Sequence, residues 1–421
     1  MNPIDTFIYE LVEAFKQSKW LPLLTAYAVL SSIIGPGFHY PLLHLPFIII
    51  GLILALKNGA GIEVAPLLLL LYLPINLLIT QPDPVFNAWR RLALFAAVFL
   101  FVSPLLAGEE IALYRKKILT GILMICVLLG LGSFVCYFLG VNYMGNQVDG
   151  SAILDYQGSA GGFGGLMYQS IALGFVCGLG ILALLYRALL QEKEGWIWYF
   201  ILIGILAVTI LFSASRSALL SVVAGGLMMI YQVNKKNGRF IPILLGIILV
   251  GMLSFPLWER YTVGIATKNE AYSELGAMGS RAQKWSARIT EFSTSPVCGI
   301  GYASVDKRLD VVGPGGVVEP GSSWLAILSM TGIIGLILFF FVLRKPFQLL
   351  KTEPIPYNAL MLGLLVFILT HMIAEGYIFA GGSPLCFIAW LIIGCCNDAR
   401  YAEEEDCLFS LVIISIITRC R

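Results

Sequence analysis

Residues 211–226 read LFSASRSALLSVVAGG, which sets Arg216 between two long apolar runs. Each run, 196–213 before it and 217–233 after it, approaches the roughly 20 residues a helix needs to cross about 30 Å of hydrocarbon. The stretch therefore reads as two membrane spans joined by a tight polar turn with a guanidinium at its tip. A cation in that position has two uses. It anchors a helix end at the interface, or it faces a substrate path, the common fate of ionisable groups among spans.

The rest of the chain sets the same solvent. Of 421 residues, 58% are apolar and only 12% charged, with a mean hydropathy of +0.87, which excludes a chain that folds in water. The formal charge of +2 supplies no basic arm or acidic tail for nucleic acid. Twelve apolar spans are expected, near 20–35, 40–56, 63–80, 91–107, 117–140, 166–186, 196–213, 217–233, 240–257, 324–343, 357–374 and 379–396. The fold class is thus an all-α, polytopic integral membrane protein, with residues 1–421 forming a single membrane domain. The first span follows Lys16 and Lys19 without a small-residue cleavage site and reads as retained.

Short positive loops resist translocation. Placing YRKK (114–117), NKKNGR (234–239) and RKPFQLLK (344–351) in the cytoplasm puts both termini inside, including a tail at 397–421. Two connections then face outward. Residues 141–165 carry no Lys or Arg and end in a glycine cluster. Residues 258–323 form a large extracytoplasmic loop with seven basic and seven acidic residues, a balance that suits an ordered cap. No internal repeat is apparent. The nine cysteines sit mostly in apolar runs, and no Cys or His pair has ligand spacing, so neither a disulfide framework nor a metal site is expected.

Within the large loop, GSRAQKWSARITEF (279–292) has the pattern of an amphipathic helix with Ser280 as N-cap. Arg281, Trp285, Arg288 and Phe292 recur at i, i+4, i+7 and i+11 and share a face. Such a stripe suits an interfacial helix with snorkelling arginines. It equally suits a clamp for an anionic headgroup, because guanidinium presents a rigid bidentate fork to phosphate.

Four stretches together, LFSASRSALLSVVAGGLM, GSRAQKWSARI, SPVCGIGYASV and SSWLAILSMTGIIGLILFF, resemble the O-antigen ligase and O-antigen polymerase superfamily. The resemblance covers about 150–345. It implies a GT-C-like bundle and a metal-independent glycosyltransferase without cofactor, in the bacterial inner membrane. The donor would be an undecaprenyl-diphosphate-linked oligosaccharide used on the outer face. A glycan acceptor, membrane lipids and other polysaccharide export proteins would be its partners, and nucleic acid would not. The family's diphosphate-binding arginines fall on Arg216 and Arg281, with Arg288 beside them.

The ligase pattern carries a histidine just ahead of the span after the large loop, where this chain has Gly321 in VEPGSSWLAIL (318–328). Polymerase is therefore expected ahead of ligase. Glu319, the nearest group able to take a proton from an acceptor hydroxyl, is the expected catalytic base beside Arg216 and Arg281. Arg288, Trp285, Glu375 and Tyr377 are the expected substrate-binding residues, whereas His371 reads as a packed intramembrane histidine. No D-x-D pair or glycine-rich strand-to-helix turn offers a nucleotide site. A rival of another class is a lipid-linked oligosaccharide flippase, which would call for repeats and paired broken helices.

Overall fold

The computed structural model describes residues 20–35, 60–143, 162–190, 196–246, 279–310, 318–352 and 355–399, with the single positions 49, 53 and 312. Its helices in chain order are α1 (Trp20–Leu30), α2 (Val64–Thr80), α3 (Ala88–Val102), α4 (Glu109–Leu139), α5 (Ser170–Leu190) and α6 (Trp196–Ser213), then α7 (Arg216–Asn234), α8 (Gly279–Thr294), α9 (Ser323–Gln348), α10 (Pro356–His371) and α11 (Pro384–Asn397). Beside them stands one two-residue antiparallel pair, β1 (Gly61–Ile62) with β2 (Leu106–Ala107), Gly61 opposite Ala107. Among the described residues, five helical segments are long and apolar enough to cross a membrane, and five more are apolar but shorter. The spans expected near 40–56 and 240–257, most of the 141–165 loop and the tail past Ala399 lie wholly or largely outside the described residues.

Two expected boundaries move for identifiable reasons. The span expected at 91–107 ends at Val102, and the YRKK basic cluster belongs to the opening turns of α4. Arg115 of that cluster is fully buried. It donates to the carbonyls of Phe101 at 2.9 Å, Ser103 at 2.6 Å and Leu106 at 2.9 Å, and pairs with Asp398 at 2.7 Å. These bonds satisfy the Phe101 carbonyl in the last turn of α3 and two carbonyls of the turn that follows it. Similarly, the span expected from 379 begins at Pro384, whose fixed φ suits a first helical turn.

Helices α10 and α11 are buried on nearly every side, as befits helices apolar all round. Helix α7 packs along α10, and α5 packs against α4, α6 and α7. The candidate site lies where the starts of α7 and α9 meet the end of α10.

A break inside α9 positions that site. Gly332 has φ +65° and ψ −166°, so the helix stops hydrogen bonding to itself there. The SPVCGIG segment (295–301) after α8 fills the gap. Ile300 N donates to Ser329 O at 2.8 Å and Gly301 N to Met330 O at 3.1 Å, while Ile333 N donates to Pro296 O at 2.9 Å. Tyr72 Oη takes Thr331 O at 2.8 Å. Asn76 grips the segment from α2, with Nδ2 on Cys298 O at 2.6 Å and Oδ1 on Tyr302 N at 2.8 Å. The carbonyls of Ser329, Met330 and Thr331 and the amide of Ile333 thus find protein partners, as irregular backbone inside an apolar bundle requires. A methyl group at Gly332 would stand 2.1 Å from Val297 O.

Candidate active site

Helix α8 begins at Gly279, one residue ahead of the Ser280 expected to cap it. Its pattern puts Arg281, Lys284, Trp285 and Arg288 on one side, as the spacing requires. Trp285 Nε1 donates to Gly321 O at 3.0 Å and ties the helix to the chain entering α9.

Arg281 is the junction of three chain segments. Its Nη1 lies 2.7 Å from Glu319 Oε1 and its Nη2 lies 2.6 Å from Glu375 Oε1. Lys284 Nζ takes the other Glu319 oxygen at 2.6 Å. Ser217, at the second position of α7, donates to Glu375 Oε1 at 3.5 Å. Both Glu375 contacts fall on Oε1, so among the described residues Oε2 accepts no bond.

The two carboxylates sit in different environments. The Glu319 side chain is 58% exposed and that of Glu375 10%. Partial burial alone would push Glu319 up, but Lys284 and then Arg281 outweigh it and hold the carboxyl below its usual range. For Glu375, burial dominates. It pushes the carboxyl up to about 7, against the pull of Arg281 and with help from the Glu319 charge. Environment therefore keeps Glu319 ionised and poises Glu375 near neutrality, the condition for general acid–base work.

Ser322 and Ser323 hold this arrangement in place. Ser323 Oγ donates to Glu375 O at 2.7 Å and accepts from Tyr377 N at 2.9 Å and Ile378 N at 3.3 Å. Its backbone N also donates to Met372 O and Glu375 O, both at 2.9 Å. Ser322 Oγ caps α9 through Leu325 N at 3.4 Å. On the α7 side, Ala214 has φ +50°, a costly backbone for a residue with a Cβ and typical of functional turns. The turn it makes leaves Arg216 exposed at the first position of α7, next to the Ser217 that touches Glu375.

The expected site residues divide accordingly. Arg281, Trp285, Glu319 and Glu375 converge, and Arg216 stands beside a member of the junction. Arg288, expected to bind substrate, is a correction. It is fully buried and pairs with Glu291 at 2.8 Å and Asp310 at 3.0 Å, so its charge is spent on folding the cap. Tyr377 is corrected too. Its hydroxyl donates to Ile368 O at 3.3 Å, its ring packs on Phe175 and His371 at centroid distances of 6.0 and 5.6 Å, and its remaining edge lines a small cavity with Arg91, Pro320 and Phe379. His371 is fully buried and stacks on Phe367 at 5.8 Å. Lys284, Ser217 and Ser323 were missed. The i, i+3 spacing of Lys284 from Arg281 was the signal available for the first, while SRS and SSW gave only small polar residues at span ends. Among the described residues no group of three or more His, Cys, Asp or Glu side chains is placed to hold a metal.

Residues 200–340 match the family model described as O-Antigen ligase, a stretch that includes Arg216, Arg281, Lys284 and Glu319 and stops before Glu375. No curated protein matches the chain. The match bears out the resemblance to the O-antigen ligase and polymerase superfamily, and with the apolar helices it supports a membrane enzyme of ligase or polymerase type.

Proposed function

We propose that the chain is a metal-independent membrane glycosyltransferase that moves an oligosaccharide from an undecaprenyl-diphosphate-linked donor to a glycan acceptor, and that its reaction is lengthening of the lipid-linked glycan. The observation that carries this reading is Arg281, held by two carboxylates at the meeting point of α7, α8 and α9. A leaving diphosphate needs donors fixed in advance in a partly dry place, and a guanidinium fork supplies them. Arg216 would add a second fork from the α7 turn.

In this mechanism the acceptor hydroxyl oxygen attacks the anomeric carbon of the donor glycan. The bond from that carbon to the diphosphate oxygen breaks, and its electron pair leaves on the diphosphate facing Arg281. Glu375 Oε2 takes the hydroxyl proton. Glu375 replaces the expected Glu319 as base because a carboxyl near 7 accepts a proton with more driving force than one held low by two cations.

Polymerase stands ahead of ligase because of position 321, where the ligase histidine is expected. Gly321 has φ +72°, and a Cβ there would lie 3.0 Å from the Lys284 Cβ, so a histidine would be strained. The ligase reading keeps the support of the family description itself. The orientation we favour puts the junction on the outer face of the inner membrane, in a GT-C-like bundle with both termini in the cytoplasm. The placing of Arg115, Lys235 and Lys345 at the opposite end of the bundle supports it.

Purified full-length protein in proteoliposomes, given lipid-linked oligosaccharide on the face bearing the junction, tests this. Longer lipid-linked chains are the expected product. Transfer only to added lipid A core would make the chain a ligase, and movement of the lipid across the bilayer without glycosidic product would make it a transporter.

A further inference from the structure

We infer that Lys284 is a further cation of the diphosphate site, beside Arg281, and that the Glu319 carboxylate stands in the place of a phosphate there until the donor displaces it. The inference rests on the proposed diphosphate reading and concerns the same site.

Arg281 and Lys284 lie at i and i+3 on α8, so their heads project together from one face. Each takes a different oxygen of the same carboxylate, Arg281 Nη1 at 2.7 Å and Lys284 Nζ at 2.6 Å. A carboxylate bracketed by two cations marks an anion site already assembled. A phosphate group offers the same donors more oxygens and more charge. The lysine is also well placed to persist without Glu319. Its Cβ lies close to where a Cβ on residue 321 would stand, 3.0 Å away, so the stem packs against Gly321, and Trp285 one residue on is bonded to Gly321 O at 3.0 Å.

Glu319 is suited to leave. Its side chain is 58% exposed whereas the Arg281 side chain is 18% and the Glu375 side chain 10% exposed, so water can take over its bonds, and exposed ion pairs contribute little. Glu375 stays, because burial and Ser323 hold its backbone. Donor binding would thus exchange one anion for another on Arg281 and Lys284 while leaving the second Arg281 amino group on Glu375. Glu319 then works against donor binding, the opposite of what a catalytic base would do.

Titration of inorganic pyrophosphate into the full chain in nanodiscs tests this by calorimetry, with elution volume and thermal midpoint checked for each variant. Glu319→Gln and Glu319→Ala should each bind pyrophosphate roughly tenfold more tightly than the parent chain, and Lys284→Met should bind roughly tenfold more weakly, the scale of one charge-assisted contact. The Lys284→Met loss should persist in the Glu319→Gln background. Nanodiscs doped with undecaprenyl diphosphate should suppress the pyrophosphate signal; an undiminished signal would mean a site for free diphosphate alone and would overturn the donor assignment. Unchanged or weaker binding in both Glu319 variants overturns the inference, as does a Lys284 effect that vanishes once Glu319 is gone. Arg281→Ala separates the two levels. If it abolishes binding while the Lys284 and Glu319 variants do nothing, only this inference fails; if it leaves binding intact, the diphosphate reading falls with it.

Discussion

At Arg281 two glutamates compete for one guanidinium, and their burial decides what each can do. Arg281→Lys keeps the charge but reaches only one carboxylate well, so turnover should fall roughly 10- to 100-fold in a reconstituted transfer assay, the value of one or two charge-assisted bonds. Near-normal turnover would reduce Arg281 to a structural tie. Arg288 should behave differently. Removing one partner of a buried ion pair costs roughly 3–5 kcal/mol, so Arg288→Ala should lower the thermal midpoint sharply, because it takes the cation away from the buried Glu291 carboxylate. The sequence grouped Arg281, Trp285 and Glu319 into one candidate site, and they do lie together, because helical spacing and the order of motifs carry that information. It could not rank Glu319 against Glu375, since the ranking depends on burial, and burial depends on how α9 and α10 meet. It misjudged Arg288 for the same cause: an arginine on an amphipathic stripe looks alike whether the stripe faces solvent or Glu291.

Among the elements, the break in α9 is what hydropathy hid. Residues 323–348 are apolar enough to read as one continuous span, and the glycines within them are unremarkable in composition. The partner of the break, 295–301, lies some distance away in sequence, and a pairing between a loop and an interrupted helix leaves no periodic signal. Gly332→Ala tests the element directly. It must adopt a left-handed φ and push its methyl into Val297 O, so it should cost at least about 1–3 kcal/mol and appear as a lower thermal midpoint in detergent. A midpoint equal to that of the parent chain would mean the 295–301 segment does not seal the helix as described. The span boundaries that were legible are those fixed by long apolar runs, such as α2 and α7. Two that moved, at 102 and 384, depend on a buried arginine and a proline.

For the whole molecule, the proposed transfer from a lipid diphosphate relies on arginines where other enzymes place a metal ion. Turnover should therefore survive exhaustive treatment with EDTA, and activity restored only by magnesium or manganese would contradict it. The arrangement of α7, α8, α9 and α10 around Glu375 makes a sharper demand, because it is the fold that buries this carboxyl and sets it near 7. Below that pH the group is protonated and cannot accept a proton, so the rate should fall as pH drops through about 7. The decisive measurement is the single-turnover transfer rate of the reconstituted protein across pH, for the parent chain, Glu375→Gln and Glu319→Gln. The proposed mechanism predicts an acidic limb near 7 in the parent, a loss of roughly 10²- to 10⁴-fold in Glu375→Gln, and a limb that persists in Glu319→Gln but moves somewhat lower, because the Glu319 charge that helps to raise Glu375 is gone. A limb near 4 that disappears with Glu319→Gln, while Glu375→Gln remains active, would contradict it.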